Sequence, residues 1–293
     1  MKKLLSSAVL GVLAVSAFAK FDSPEAAIAA LRDSAAAGKL PQFSQFLPVS
    51  YQNDLVDIVH DFAGRMDPDL WNAGRILLKT AGDSLAPKAG LLVEFTQESG
   101  EATDIDKAKL EKSLGAFLQG VSAFASENGT TLNALKTISF DSLEKTLFAL
   151  FPQDALDIGY AFIADNNGAK GDMPRDELVK KLAVASSKKL DNGDVSVTFA
   201  EDDEPVTFRQ IDGCWLPTEL ADSWTEFVND ARTSISSIDF SSVEGQQAKM
   251  QVLMILPAVQ SMVQPLGTAN TADEFKSKFE AMVGVFFGGG LGF

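Results

Sequence analysis

The spacing of hydrophobic residues changes twice along the chain. From Pro24 to about residue 163, apolar positions recur every three to four residues, the spacing of helices with one buried face. Ala27, Ile28, Leu31 and Ala35 form the first such stripe, and Leu55, Ile58, Val59, Phe62 and Met66 the second. A third helix, restarted at Asp67-Pro68, carries Leu70, Trp71, Ile76 and Leu77. Further helical stripes fall over 105–125 and 142–163. Between 182 and 216 the period becomes two: Val195, Val197 and Phe199 alternate with Ser196 and Thr198, and Val206 and Phe208 with Thr207 and Arg209. Asp191-Asn192-Gly193, the acidic run 201–204 with Pro205, and Asp212-Gly213 punctuate these strands, which predicts an antiparallel meander. Helical spacing then returns over 218–234, 246–266 and 272–287. Pro257 and Pro265 are expected to interrupt the middle one.

Punctuation supports these boundaries. Phe21-Asp22-Ser23-Pro24-Glu25 puts a capping side chain ahead of a first-turn proline and an acid, and Gly38 closes the helix. The same opening returns at Phe140-Asp141-Ser142 and Phe240-Ser241-Ser242. Nothing else aligns at those spacings, so this is a reused cap and not an internal repeat. The fold class expected is α+β, predominantly α-helical, with a small antiparallel β-meander at about 182–216. Residues 20–165 form a helical region. The meander and C-terminal helices follow over 172–287, packed with the first region as one unit. The loop at 165–176 separates them, and 288–293 is a flexible tail.

The first nineteen residues fit neither period. Lys2 and Lys3 precede an apolar run, and Ala17-Phe18-Ala19 is a small-x-small cleavage sequence. This is the build of a secretory signal peptide cleaved after Ala19, so the product is expected in the periplasm or outside the cell. No cysteine stands at the cleavage point, which removes a lipid anchor. No later segment reaches the eighteen uninterrupted apolar residues of a membrane span.

Charge then narrows the partners. Forty Asp and Glu against 25 Lys and Arg give a net charge of −15, two units more negative once Lys2 and Lys3 are gone. Such a chain repels phosphate backbones, so nucleic acid is not an expected partner. Cys214 is the only cysteine and His60 the only histidine. One chain can therefore form neither an internal disulfide nor the usual zinc sites, and Cys214 reads as a buried thiol. No cofactor is expected. The 165–176 loop is rich in acids and amides, but Ala169 and Lys170 stand where an EF-hand needs a ligand and a glycine.

Two short blocks carry candidate chemistry. Gly82-Asp83-Ser84-Leu85 resembles the nucleophile block of GDSL esterases, and Asp57-Ile58-Val59-His60 their Asp-x-x-His block. In that reading Ser84 attacks an ester, His60 takes its proton and Asp57 orients the imidazole. The order is reversed, however, and the serine sits in a helical stretch where the family has a strand end. Ser142-Leu143-Glu144-Lys145 and Ser186-Ser187-Lys188-Lys189 fit Ser-x-x-Lys without its companion motifs; Ser142 reads as a helix cap. Asn128-Gly129-Thr130 is a glycosylation sequon.

Three stretches together resemble an uncharacterised family of exported bacterial helical proteins: Ser23-Pro24-Glu25-Ala26-Ala27; Leu47-Pro48-Val49-Ser50-Tyr51-Gln52-Asn53-Asp54 leading to Met66-Asp67-Pro68-Asp69-Leu70-Trp71; and Asp212-Gly213-Cys214-Trp215-Leu216-Pro217. The resemblance implies the fold and carries no catalytic residue. The leading expectation is an exported, soluble, non-enzymatic binding or interaction module. Its partner would be a protein or a hydrophobic small molecule, with acidic outer helix faces and Phe-, Leu- and Met-rich inner ones. The Met-rich 250–263 helix reads first as core. The alternative is a serine esterase using Ser84, His60 and Asp57.

Overall fold

The computed structural model describes residues 21–39, 41–98, 107–150, 179–202 and 204–287. The expected signal peptide, the 165–176 loop, the helical stripe beyond Leu150 and the 288–293 tail lie outside these residues. The fold is predominantly helical with one four-stranded antiparallel sheet. The described residues within Met1–Phe62, Thr137–Lys145 and Gly159–Ser237 form one compact unit. Those within Ala63–Lys136, Thr146–Ile158 and Ile238–Phe293 form the other. Each unit therefore draws on both sides of the 165–176 stretch.

The first unit is built on the sheet. Helix α1 (Pro24–Ala36) starts where the Ser23 side chain accepts the Ala26 N–H, and it ends before Gly38 at φ +64°. Ala27, Ile28, Leu31 and Ala35, the expected stripe, are all buried. Strands β1 (Val184–Lys189), β2 (Val195–Phe199), β3 (Val206–Ile211) and β4 (Cys214–Pro217) pair in chain order as a meander. Their two tight turns differ in chemistry. At Asp212-Gly213 both residues have positive φ, +49° and +80°, the two-residue turn whose twist matches the strands. At Asp191-Asn192-Gly193 only Gly193 does, at +91°. There Gly193 N–H donates to Leu190 O at 3.0 Å and Leu190 N–H to Asp194 O at 2.8 Å, a three-residue loop with a glycine bulge. Helix α1 packs on β1, β2 and β4, and α8 (Thr218–Ser236) on β3 and β4. Phe208, Leu216, Val197 and Ile28 fill the interior almost without exposure, joined by Phe46, Leu47, Tyr51 and Trp224.

The second unit is helical. Helix α2 (Val49–Arg65) ends in it, α3 spans Pro68–Leu85, α4 Ala89–Glu98 and α5 Lys107–Ser126. The short α6 (Leu132–Leu135) follows, then α7 (Phe140–Leu150), of which the second half belongs here. Helices α9 (Val243–Leu266) and α10 (Ala272–Phe287) complete the unit. Asp67 caps α3 by accepting the Asp69 and Leu70 N–H groups at 2.9 and 3.1 Å. α3 lies against α5 and α9, and α4 against α5 and α10.

Helix α3 runs through Gly82 to Leu85, and Gly82 meets a neighbouring helix there. Two helix features differ from expectation. Helix α9 runs unbroken through Pro257 and Pro265; its long contact with α3 offsets the backbone bonds the two prolines forfeit. At α7 the cap is Ser139, whose hydroxyl accepts the Ser142 N–H at 3.3 Å, so Ser142 stands inside the first turn.

Candidate functional site

The three residues of the esterase alternative, Ser84, His60 and Asp57, occupy different surroundings. His60 and Asp57 belong to the first unit and Ser84 to the second. His60 lies half-buried on α2, its Nε2 3.0 Å from the Ile138 carbonyl oxygen. Asp57, one turn earlier, faces Arg232 of α8 at 3.4 Å. Its neighbour Asp54 accepts the Trp224 indole N–H at 2.9 Å.

Each residue of the Gly82–Leu85 block has a packing role in the last turn of α3. A Cβ on Gly82 would come within 2.6 Å of Leu118 O and 2.7 Å of Ser122 Cβ on α5, so this position admits only hydrogen. Asp83 bonds Lys79 and the Ser122 hydroxyl, which together hold its carboxyl below the usual carboxylate range. Gly267, at the end of α9, lies against Ser84, where an added Cβ would meet the Ser84 Cβ at 3.0 Å. Leu85 packs beside Leu266 and Phe275. The backbone around Ser84 is helical, whereas a nucleophile elbow needs a sharp strand-to-helix turn.

The remaining candidates are placed as follows. Ser142 and Lys145 are exposed on α7, while Ser186 and Lys189 sit on opposite faces of β1, as residues three apart on a strand must. Cys214 is buried in β4. In the sequon, Thr130 is fully buried and donates its hydroxyl toward Phe124 O and Glu127 O at 2.8 and 2.9 Å. Among the described residues no group of His, Cys, Asp and Glu is arranged to hold a metal, and no helix is long and apolar enough to cross a membrane.

An aromatic and acidic cluster joins α2 to α8 within the first unit. Tyr51 and Trp224 stack with ring centres 4.0 Å apart and planes 2° from parallel. Tyr51 donates to Ala221 O at 3.4 Å. Its burial raises the phenol pKa, and the negative charges of Asp54, Asp212 and Asp222 raise it further. Both rings are buried, so the cluster locks α2 to α8 and leaves little ring face for a ligand.

Two surfaces lack such an internal account. The first is the outer face of α9. Val243, Met250 and Met254 fall within about 40° of one another around the helix and are 70%, 56% and 67% exposed. Met250 and Val243, with Ser242 and Gln246, line an open groove of about 480 Å³. The expectation that the Met-rich helix is core holds for its inner side only. The available signal was the stretch from Met250 to Ala272, which contains no Asp, Glu, Lys or Arg. The second is β1, at one edge of the sheet and exposed from Ala185 to Lys189. No family model, no curated protein and no solved structure matches this chain.

Proposed function

We propose that the chain is an exported, non-enzymatic interaction module, carried to the periplasm or beyond by residues 1–19 and released after Ala19. The observation that carries this reading is the outer face of α9. A chain with forty acidic residues keeps Val243, Met250 and Met254 in water, the first two in a groove lined only by uncharged residues. Water-exposed apolar area forgoes about 25 cal/mol per Å² that burial would supply. Unbranched Met side chains adapt to varied partner shapes. The stripe from Val243 to Met254 runs about 16 Å at the rise of an α-helix. That length suits the apolar face of an amphipathic helix in a partner protein. The acidic remainder of the surface favours a partner helix whose polar face is basic.

The test uses a synthetic amphipathic helix of Leu and Lys, titrated against the wild-type protein and a Met250→Glu/Met254→Glu double variant. Saturable binding that weakens about tenfold or more in the variant is expected. The two new acids raise the general attraction for a basic peptide, so a loss isolates the apolar contact. Undiminished binding by the variant would overturn the reading. The enzymatic alternative has its own readout: fluorophosphonate labelling that disappears in Ser84→Ala would replace the module with a serine esterase. N-terminal sequencing of the secreted product is expected to begin at Lys20.

A further inference from the structure

The β1 edge is charged in the opposite sense to the chain. Residues 180–189 hold Lys180, Lys181, Lys188 and Lys189 and no acid, within a protein of net charge −15. All four lysines are exposed. Lys180 and Lys181 precede the strand, and Lys188 and Lys189 end it, so the positive charge brackets its whole length.

The register shows which backbone groups the strand leaves outward. Leu190 N–H donates to Asp194 O across the hairpin, so 190 and 194 are a hydrogen-bonded pair. In an antiparallel ladder such pairs recur at every second residue. Lys188 with Ser196 and Ser186 with Thr198 therefore bond inward to β2. Ser187 and Lys189 direct their N–H and C=O groups away from the sheet. Among the described residues no strand pairs with that side, since the sheet order is β1-β2-β3-β4. The Ser187 side chain is engaged with Glu25 of α1, which ties the strand to the core while its backbone edge stays open. The other edge is unlike it: β4 has four residues, all buried or half-buried, and ends in Pro217. Lysines on an edge strand block pairing with other uncharged edges. They do not repel an acidic one.

We propose that β1 accepts an extended acidic segment of a partner protein as a fifth, antiparallel strand. Ser187 and Lys189 supply the main-chain hydrogen bonds, and Lys180, Lys188 and Lys189 pair with carboxylates on the incoming strand. The affinity comes from the ladder, and the choice of an acidic sequence comes from the bracketing charge. This surface is separate from the α9 face, and either stands without the other.

Three fluorescein-labelled octapeptides test it by anisotropy: alternating Glu and Val, alternating Lys and Val, and the Glu–Val peptide with proline at its two central Val positions. The Glu–Val peptide is expected to bind saturably, more weakly as salt rises from low to physiological strength. The Lys–Val peptide is expected not to bind. The proline peptide keeps the charge and loses ladder donors, so about tenfold weaker binding is expected. In the protein, Lys188→Glu/Lys189→Glu is expected to weaken the Glu–Val peptide by about tenfold or more. Ser187→Pro removes an outward donor and leaves the inward bonds of Ser186 and Lys188 in place; it is expected to weaken the peptide similarly with an unchanged far-ultraviolet spectrum. If Ser187→Pro unfolds, the proline peptide against wild-type protein makes the same measurement. Equal binding of the Glu–Val and proline peptides would reduce the site to a charged patch and overturn the proposal. No binding of the Glu–Val peptide would overturn it outright. A concentration-dependent dimer in sedimentation that Lys188→Glu/Lys189→Glu abolishes would overturn the partner assignment and make a second copy the occupant.

Discussion

Both units hold long-range polar bridges, in the second from Lys249 of α9 to Asp67 and Asp69 at 2.7 and 2.9 Å, but they differ in what brings their elements closest. In the first, polar side chains bridge elements distant in sequence. Trp224 donates to Asp54, the Glu144 carboxylate accepts the Ser44 N–H and hydroxyl at 2.9 Å each, and Asp212 accepts the Ser50 hydroxyl at 2.6 Å. In the second, helices approach because side chains are missing. Gly82 admits α5, Gly120 on α5 lies where a Cβ would come within 2.7 Å of Ala149 O and Leu150 O, and Gly267 admits Ser84. A bridge is lost when either partner is deleted. A close approach is lost when anything is added. The glycine crossings of the second unit should therefore fail when atoms are added, and the bridges when they are removed.

The largest effect is expected from Trp224→Ala. It removes a buried indole, its stack on Tyr51 and its bond to Asp54, for a loss of about 3–5 kcal/mol in urea unfolding. Trp224→Phe keeps most of the stack and leaves Asp54 without its donor, a smaller loss of about 1–2 kcal/mol. If the two variants lose equally, the hydrogen bond dominates and the aromatic contact adds little. Trp215 lies in the first unit and Trp71 in the second, so tryptophan fluorescence and circular dichroism both follow the two units.

Gly82→Ala is expected next, at about 1–3 kcal/mol, because the atoms it meets are mainly backbone and cannot swing aside. Gly74→Ala is the paired measurement. It lies on the same helix with nothing within 4 Å of its Cβ position, and alanine there should stabilise by up to about 1 kcal/mol. The same substitution two turns apart should thus change sign. A common sign would mean that α3 and α5 are not held by close approach. Glu144→Ala follows, deleting the acceptor for Ser44, at about 1–3 kcal/mol by thermal melts. A loss below the error of the melt would remove Glu144 from the bridges that distinguish the first unit.

The elements were largely legible, and the bridges and approaches were not. Period-two spacing and turn residues located the meander because each is local. The Ala27–Ala35 stripe and the Ser23 cap were equally visible, since a helix and its cap lie within a few residues. That Glu144 would meet Ser44, a hundred residues away, leaves no periodic trace. Glycine is ambiguous for a related reason. Gly38 ends a helix and Gly82 sits within one, and only the partner helix distinguishes them. The Gly82–Leu85 block is ambiguous in sequence because small and polar residues serve both a nucleophile turn and a crowded helix crossing. The exposure of Met250 and Met254 was hidden because α9 is apolar on most of its circumference. Its period therefore does not reveal which side meets α3.

Asp83 is one of the second unit's own bridges, weaker than that of Lys249 to Asp67 and Asp69, and it gives the smallest effect. Its carboxylate joins Lys79 on its own helix to Ser122 on α5, beside the Gly82 crossing. Half of each ion-pair side chain is exposed, so screening limits the pair to about 0.2–1 kcal/mol. Because these donors hold its pKa below the unfolded value, folding favours the ionised form. The contribution is complete above the unfolded carboxylate pKa and is lost as pH falls through the lower folded value. Asp83→Asn should therefore lower stability slightly at neutral pH and converge with wild type in strong acid. The comparison is a pair of urea curves at neutral pH and near pH 2, read by circular dichroism. A gap that stays constant between the two would mean that Asp83 acts through packing alone. The α3–α5 crossing at Gly82 would then depend on close approach.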